Sequence, residues 1–472
     1  MWLVVVVILV GLLYLGMRKP RGYPPGPPRL PLLGFLPFLD SHLPHKQMWR
    51  LSDTYGPVVG LYFGTQPAVV VNGWEAVKEA LQNDDLNGRP ENVATVIQYG
   101  FQGGVMFSEG ELWKEQRRFA LHQFRNLGFG KKSHEAIVHD EVRELLKEIG
   151  SAKGSISLPG MLGVSAINIL WAILGGNRFE RSDGRLWDLV ERLNIVFRAG
   201  EISGGIVQSF PFLRHVFPKS HSFNTVLDGL FQVDNFIKAN YPKDFIDIYL
   251  NEMEKQKDDS STTFTEKQLL ATCTDIFNAG TETGSATLSF GILLLTLNPE
   301  VMRKVQAELD EVVGRSRMPS LEDRTKLAYS DATLSEVLRI RSAAPITVPH
   351  KATKDTTVQG CRIPADTMML VNLYSVVMDP EYWQDPETFR PERFLNPDGT
   401  ARKDERLIVF GKGRRACLGE ALARMTSFVL FTTLLQNFDF SLDPAVPVPN
   451  TEGKSGFTLG PPEFRVFAKP RS

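Results

Sequence analysis

The ten residues Phe410-Gly411-Lys412-Gly413-Arg414-Arg415-Ala416-Cys417-Leu418-Gly419 join one thiol to three glycines, two arginines and an aromatic ring. A thiolate that ligates a metal needs positive charge or backbone N–H groups aimed at its sulfur. Gly411, Gly413 and Gly419 would let backbone crowd the sulfur where a side chain would clash. Residues 420–435 read as a helix, so Cys417 falls just before a helix N-terminus, where unpaired N–H groups favour S⁻ over SH. For a lone cysteine the competing reading is a buried free thiol in a glycine-rich turn.

A second group of reactive residues lies in the helix-period stretch 265–297, roughly 50 Å long at 1.5 Å per residue. Thr265 with Gln268 fits a capping box, and Asn298-Pro299 fits a stop. Its middle, Ala279-Gly280-Thr281-Glu282-Thr283-Gly284, combines poor helix formers with a carboxylate in apolar surroundings and weakens the helix there. Ala279 and Thr283, at i and i+4, can look onto one ligand. The plainer alternative is a surface polar patch, or a close helix crossing at Gly280 and Gly284. Glu336 and Arg339, at i and i+3 in a helix over 331–340, meet on one face, as such pairs commonly do. Trp113 and Arg117 are spaced i and i+4 in a basic stretch with Lys114 and Arg118, which an ordinary amphipathic surface helix would explain equally well.

A large core must position these residues. The chain has 472 residues, a formal net charge of -1 and a hydrophobic fraction of 43%, which permits such a core and gives no support to a nucleic-acid partner. Length alone suggests about three domains, but no Gly/Ser-rich or Pro-rich linker divides the chain after residue 40, so one catalytic unit is expected. Cys273, Cys361 and Cys417 form no CxxC pair, which disfavours a disulfide framework or zinc ribbon and fits a reducing compartment. Residues 58–63 and 68–71, rich in β-branched and aromatic types, flank Gly64-Thr65-Gln66-Pro67 and read as a hairpin. Segments 74–81, 136–149, 185–197, 231–240 and 244–253 read as helices, and 255–263 as an exposed loop. With no internal repeat, the expected fold class is mainly α with a minor β portion (α+β).

Residues 1–17 are uncharged and almost wholly apolar, and Arg18, Lys19 and Arg21 follow. That is the short end for a transmembrane helix and suits the thin endoplasmic reticulum bilayer. A cleaved signal peptide lacks its basic leading region and small-residue cleavage site. The cationic cluster would keep the rest cytosolic. Pro24-Pro25-Gly26-Pro27-Pro28 then reads as a stiff, helix-incompatible hinge. The expected organisation is an anchor over 1–17, a basic and proline-rich hinge over 18–30, and an enzyme domain over 31–472.

The spacing of Phe410, Gly413, Arg415, Cys417 and Gly419 resembles the haem-binding loop of the cytochrome P-450 superfamily, the haem-thiolate monooxygenases. That family usually has proline before the phenylalanine, where this chain has Val409. The resemblance implies the cytochrome P-450 fold and haem b, iron protoporphyrin IX, with Cys417 as axial thiolate; thiolate donation favours cleavage of the O–O bond. Phe410 would pack on the sulfur side of the macrocycle, and Arg415 would pair with a propionate. A match to the family's Trp-x-x-x-Arg element makes Trp113 and Arg117 propionate donors. His350, after Pro345-Ile346-Thr347-Val348-Pro349, either contacts a propionate as in similar proteins or is a satisfied structural histidine. Gly280 would open a distortion that seats dioxygen, Thr283 would hydrogen-bond the oxygen, and Glu282 would relay protons from solvent. The family commonly has Thr or Ser where Gly284 stands. Phe389-Arg390-Pro391-Glu392-Arg393-Phe394 matches the family's Pro-Glu-Arg-Phe element, so Glu336, Arg339 and Arg393 would form a buried structural triad behind the haem loop. Phe101, Phe107, Phe277, Ala279, Val348 and Phe457 fall where similar enzymes line the substrate pocket, and such a lining favours an apolar substrate.

The resemblance runs from about residue 20 to the end and is strongest to animal microsomal members, among them arthropod enzymes that epoxidise methyl farnesoate. It implies a single-pass endoplasmic reticulum protein with a cytosolic catalytic domain. Electrons would come from NADPH through NADPH-cytochrome P-450 reductase, with cytochrome b5 as a second partner. One atom of O2 would enter a lipophilic terpenoid, steroid or xenobiotic by hydroxylation or epoxidation. Residues 206–217 would dip into the membrane or form an ordinary buried loop. Lys114, Arg118, Arg125, Lys131, Lys132, Lys412 and Arg414 would attract an acidic reductase or simply be a solvated face. Two rival classes are a reductase-independent haem-thiolate isomerase, against which the Glu282–Thr283 pair argues, and a non-catalytic haem-binding protein.

Overall fold

Apolar residues at helical spacing fold most of the chain into helices in a computed structural model, which describes residues 19–128, 132–200, 207–208, 210, 212–216, 222–240 and 244–471. In chain order the longer helices are α1 (Pro44–Tyr55), α2 (Trp74–Gln82), α3 (Val93–Tyr99), α4 (Gly110–Leu127), α5 (Lys132–Ser151), α6 (Leu158–Gly175) and α7 (Gly184–Ala199). They continue as α8 (Ser222–Ala239), α9 (Asp244–Lys255), α10 (Glu266–Leu297), α11 (Pro299–Val312), α12 (Ala328–Ile340) and α13 (Glu420–Asn437). α6 is apolar on every side and, among the described residues, is the single helix long and apolar enough by itself to cross a membrane. It is 78% buried within the protein, where it packs along α10 as a core helix. Residues 1–17, expected to be the anchor, lie outside the described residues.

α10 begins where expected, with the Thr265 hydroxyl accepting from the Gln268 N–H at 3.2 Å. The capping box is only half made. Gln268 instead clamps Gly104, donating to its carbonyl and accepting from its N–H, each at 3.0 Å. At the other end the chain turns through 110° at Asn298 into α11.

β1 (Val58–Phe63) and β2 (Gln66–Val71) are antiparallel, with Phe63 opposite Gln66. The turn is therefore Gly64-Thr65 alone, and Pro67 lies inside β2. That is tolerated because the strand on β2's other side pairs only from Ala68 onward. β3 (His350–Lys351), the hairpin β4 (Thr356–Val358) and β5 (Cys361–Ile363), and β6 (Met368–Val371) follow, and the four-stranded sheet runs β1-β2-β6-β3. β7 (Phe438–Leu442) pairs with β8 (Val466–Pro470).

The proline-rich stretch is not a free hinge. Prolines leave carbonyls able to accept, and the Pro25 carbonyl takes the Gly60 N–H of edge strand β1 at 2.7 Å, while the Tyr23 hydroxyl donates to the Ala68 carbonyl at 2.8 Å. Gly26 approaches so closely that a Cβ there would sit 2.1 Å from the Gly60 oxygen. The folded unit thus begins before residue 31.

Candidate active site

The N-terminus of α13, the loop before it and the middle of α10 enclose a cavity of about 360 Å³. Cys417 borders it two residues ahead of Gly419, the N-cap of α13, and its N–H donates to the Phe410 carbonyl at 2.8 Å. The residue is open through the cavity but otherwise ringed by protein. That burial pushes the thiol above its ordinary range; the Gly419 and Glu420 N–H groups and the Arg117 guanidinium pull the other way. Of these opposing effects at the sulfur, burial is the largest. Not all the loop glycines serve the sulfur. Gly413 has φ +75°, and a Cβ there would lie 2.1 Å from the Leu81 carbonyl, so it is the residue that lets the loop touch α2.

Five arginines border the cavity: Arg324 and Arg424 pair with Asp331 and Glu420, while Arg89, Arg117 and Arg415 lie close enough to repel one another. Arg415 donates from Nε to the Asn87 carbonyl and from Nη2 to the Ser108 carbonyl, both at 2.9 Å, while its buried Nη1 has no partner. Trp113 Nε1 is likewise buried without a partner. Arg117 donates to the Ala416 carbonyl at 2.5 Å. Arg89, which the sequence reading did not single out, donates to the Met106 and Pro349 carbonyls at 2.8 Å. Burial and mutual repulsion bring Arg415 down to about 8, and burial with repulsion from Arg117 brings Arg89 down to about 9. Orphaned donors and crowded cations beside a thiol fit a ligand that brings carboxylates and a metal. Haem, with two propionates and one iron, has that donor demand. Among the described residues no cluster of three His, Cys, Asp or Glu side chains could hold a bare ion. His350 lines the cavity, but its Nδ1 lies 2.8 Å from the Leu86 carbonyl and burial keeps the ring neutral. Its Nε2 is therefore an acceptor, which favours the structural reading over donation to a propionate.

Across the cavity, α10 presents Ala279, Gly280, Thr283 and Gly284. The Thr283 hydroxyl donates to the Ala279 carbonyl at 2.7 Å. α10 is one continuous helix through Gly280. A Cβ on Gly280 would lie 2.6 Å from Leu170 Cδ1, and the glycine serves the crossing with α6. Glu282 does not line the cavity: it is buried on another face, paired with Arg198 and 3.4 Å from the Thr458 hydroxyl. Burial raises its carboxyl, which Arg198 partly offsets. Two carboxyls do border the cavity: Asp331, paired with Arg324 at 2.7 Å, and Asp275, pushed up to about 7 by burial although its Oδ2 accepts from the Val105 and Met106 N–H groups at 2.7 and 2.8 Å. The position of Asp275 one turn before Ala279 was the signal for it.

Ala279 and Val348 line the main cavity. Phe107 and Phe457, with ring centroids 6.2 Å apart, line a second cavity of about 140 Å³ that shares Met106 and Asp275 with the first. Two expected lining residues belong to the packing instead. Phe277 stacks on Trp171 at 4.9 Å, and Phe101 packs against the main core. Phe410 borders the cavity with the Arg424 guanidinium 4.7 Å from its ring. Behind the loop, Glu336 accepts from Arg339 at 2.7 and 2.8 Å and pairs with Arg393 at 3.4 Å; Arg393 also donates to the Trp383 carbonyl. Lys114, Arg118 and Arg125 are exposed on α4, while Arg414 pairs with Asp84 at 2.9 Å and Lys412 lies 5.6 Å from the Trp74 ring. Lys131 and the Lys132 side chain lie outside the described residues, as do Ile206 and Phe217; between these last two, Phe212 and Val216 are exposed.

A model of the family described as Cytochrome P450 matches residues 24–468. Cytochrome P450 2C28 of Mesocricetus auratus is 39% identical over 467 residues, covering 95% of this chain and 94% of the relative. Cytochrome P450 2B2 of Rattus norvegicus is 38% identical, covering 98% of each chain. Farnesoate epoxidase of Bombyx mori is 35% identical, covering 99% of this chain and 98% of its own length.

Proposed function

The chain belongs to the cytochrome P450 family, and we propose that it is a microsomal, membrane-anchored member acting on a lipophilic small molecule. As in that family, it is a monooxygenase that binds haem through a thiolate and uses NADPH by way of a reductase. The observation that carries the proposal is the meeting of Cys417, the orphaned Nη1 of Arg415 and Thr283 around one apolar cavity, with the orphaned Nε1 of Trp113 on the ring that stacks against Arg415. The bound haem supplies reductive activation of O2. Cys417 would ligate the iron, and Trp113, Arg117 and Arg415, joined by Arg89, would hold the carboxylates. Phe410 and Arg424 shield the sulfur side.

Thr283 donates its hydroxyl proton to the Ala279 carbonyl, and on releasing that bond it could donate the proton to oxygen in the cavity it lines. Glu282 joins proton delivery only after leaving Arg198, which makes the α7 contact part of that route. Apolar walls exclude water and seat a terpenoid, steroid or xenobiotic; the name of the Bombyx mori relative supports a sesquiterpenoid. The apolar residues 1–17 with Arg18, Lys19 and Arg21 support a single-pass anchor in the endoplasmic reticulum. The exposed cations of α4, with Lys412 and Arg414, suit an acidic NADPH-cytochrome P-450 reductase or cytochrome b5. The threonine facing the cavity favours oxygen activation over reductase-independent isomerisation, and over a non-catalytic haem carrier.

The test is the absorption spectrum of the reduced, carbon monoxide-bound protein. Cys417→Ala should abolish the thiolate band, and its survival would reassign the ligand. Product formation without any reductase would replace the monooxygenase reading with the isomerase one.

A further inference from the structure

The second cavity is walled by Phe107, Phe197 and Phe457, yet one end of it is polar. Most of those polar groups are already engaged. Asp234 of α8 accepts from Gln98 at 2.7 Å, from the Tyr99 hydroxyl at 2.9 Å and from the Thr274 hydroxyl at 2.7 Å. One is not engaged. Asn278 of α10 borders this cavity, is only 8% exposed, and keeps a buried Oδ1 with no hydrogen-bond partner. A buried acceptor left unpaired is costly, so native proteins supply it with a donor. Among the described residues, nothing in the packing around Asn278 does so.

We propose that Asn278 is a specificity-determining residue whose Oδ1 accepts a hydrogen bond from a hydroxyl on an elongated apolar substrate. This rests on the monooxygenase reading above, and narrows its substrate class to lipophilic alcohols. The helix sets the span. Asn278 and Thr283 are five residues apart, about 7.5 Å along the axis at 1.5 Å per residue, and face different cavities. The substrate hydroxyl is held in the phenylalanine-lined cavity while a carbon several bonds away lies between Thr283 and Cys417. Met106 and Asp275 border both cavities. The unbranched, flexible Met106 side chain is the part of that divider that yields to a chain passing between them. A site built around a buried acceptor rejects analogues that lack the donor, because the acceptor is then stranded again.

The test measures binding, not turnover, so it stands even if the oxygenation reading fails. Equilibrium dialysis of the full-length haem-loaded protein would compare farnesol with farnesyl methyl ether, alike in chain and oxygen position but differing in the donor. Wild type should bind the alcohol about tenfold more tightly, the ratio that ~1.4 kcal/mol represents. Asn278→Leu, of similar volume, should bring the ratio to about one while keeping the thiolate band that reports an intact haem site. Equal affinities in wild type, a preference for the ether, or a ratio unchanged in Asn278→Leu would each overturn the assignment. Should Asn278→Leu fail to retain haem, Asn278→Ala takes its place, which also lacks the acceptor, and the wild-type ratio still decides. Discrimination by Asn278 in a protein that forms no oxygenated product would sink the monooxygenase reading and leave this one standing.

Discussion

The Arg415 guanidinium carbon lies 3.7 Å from the centroid of the Trp113 ring, and each of the two residues keeps one buried N–H without a partner. The stack aligns a planar cation on an indole so that both free donors serve the same ligand. Trp113→Phe keeps the stack and removes one donor, and Arg415→Lys loses the planar fork. Each should speed haem loss about tenfold, the equivalent of one hydrogen bond of ~1.4 kcal/mol. Transfer of haem to an apo-haem acceptor protein measures this. Unchanged transfer from both variants would separate these donors from the propionates.

Glu336 and Arg339 are both fully buried, at 0% side-chain exposure, and Arg393 at 4% completes the cluster. Glu336→Gln should cost about 3–5 kcal/mol, because two desolvated guanidiniums lose their counter-charge. The Arg414–Asp84 pair is 59% exposed on both sides, so Asp84→Asn should cost under about 1 kcal/mol. Denaturant midpoints of the two variants test the contrast, and similar losses would refute it.

Gly280 marks a helix crossing, since a methyl group there would press on Leu170 at 2.6 Å. Gly280→Ala should therefore lower stability by about 1–3 kcal/mol. Adding Leu170→Ala should make the double variant less unstable than the two single losses combined. A strictly additive cycle would argue against the contact.

Arg198 opposes the upward push that burial puts on the Glu282 carboxyl. Replacing Arg198 with methionine removes that attraction while burial remains, so the carboxyl must rise further. A higher value means ionisation only at higher pH. The acid limb of the turnover profile should move to higher pH in Arg198→Met, and a profile that does not move would place Glu282 outside proton delivery.

Asp275 is held near 7 by burial, well above an unfolded carboxyl at 3.8. Between those two values the folded protein binds the proton more tightly, so stability falls as pH rises through that window and levels off above it. Asp275→Asn has nothing to ionise and should lack the fall. Unfolding free energies of both proteins from pH 4 to pH 8 would show it, as a gap that widens toward neutrality; parallel curves would contradict the assignment.

Much of this site was legible along the chain because its signals are local. Cys417 ahead of α13, the i,i+4 pair Ala279–Thr283 and the i,i+3 pair Glu336–Arg339 follow from helix geometry alone. What was missed depends on partners far away in sequence. Arg89 matters because it meets carbonyls at 106 and 349, and Asn278 because none of the described residues reaches its oxygen.

The order of residues by itself determined the thiol loop, the long helix opposite it and the family to which they belong, since spacing and periodicity are properties of the chain. Only the tertiary structure decided which way each side chain is spent. It turned Glu282 toward Arg198, packed Phe277 onto Trp171, docked the proline stretch on β1 and kept Gly280 for α6. The reason is physical: a helix presents several faces, and burial and hydrogen-bond demand from segments tens of residues to about a hundred residues away choose among them.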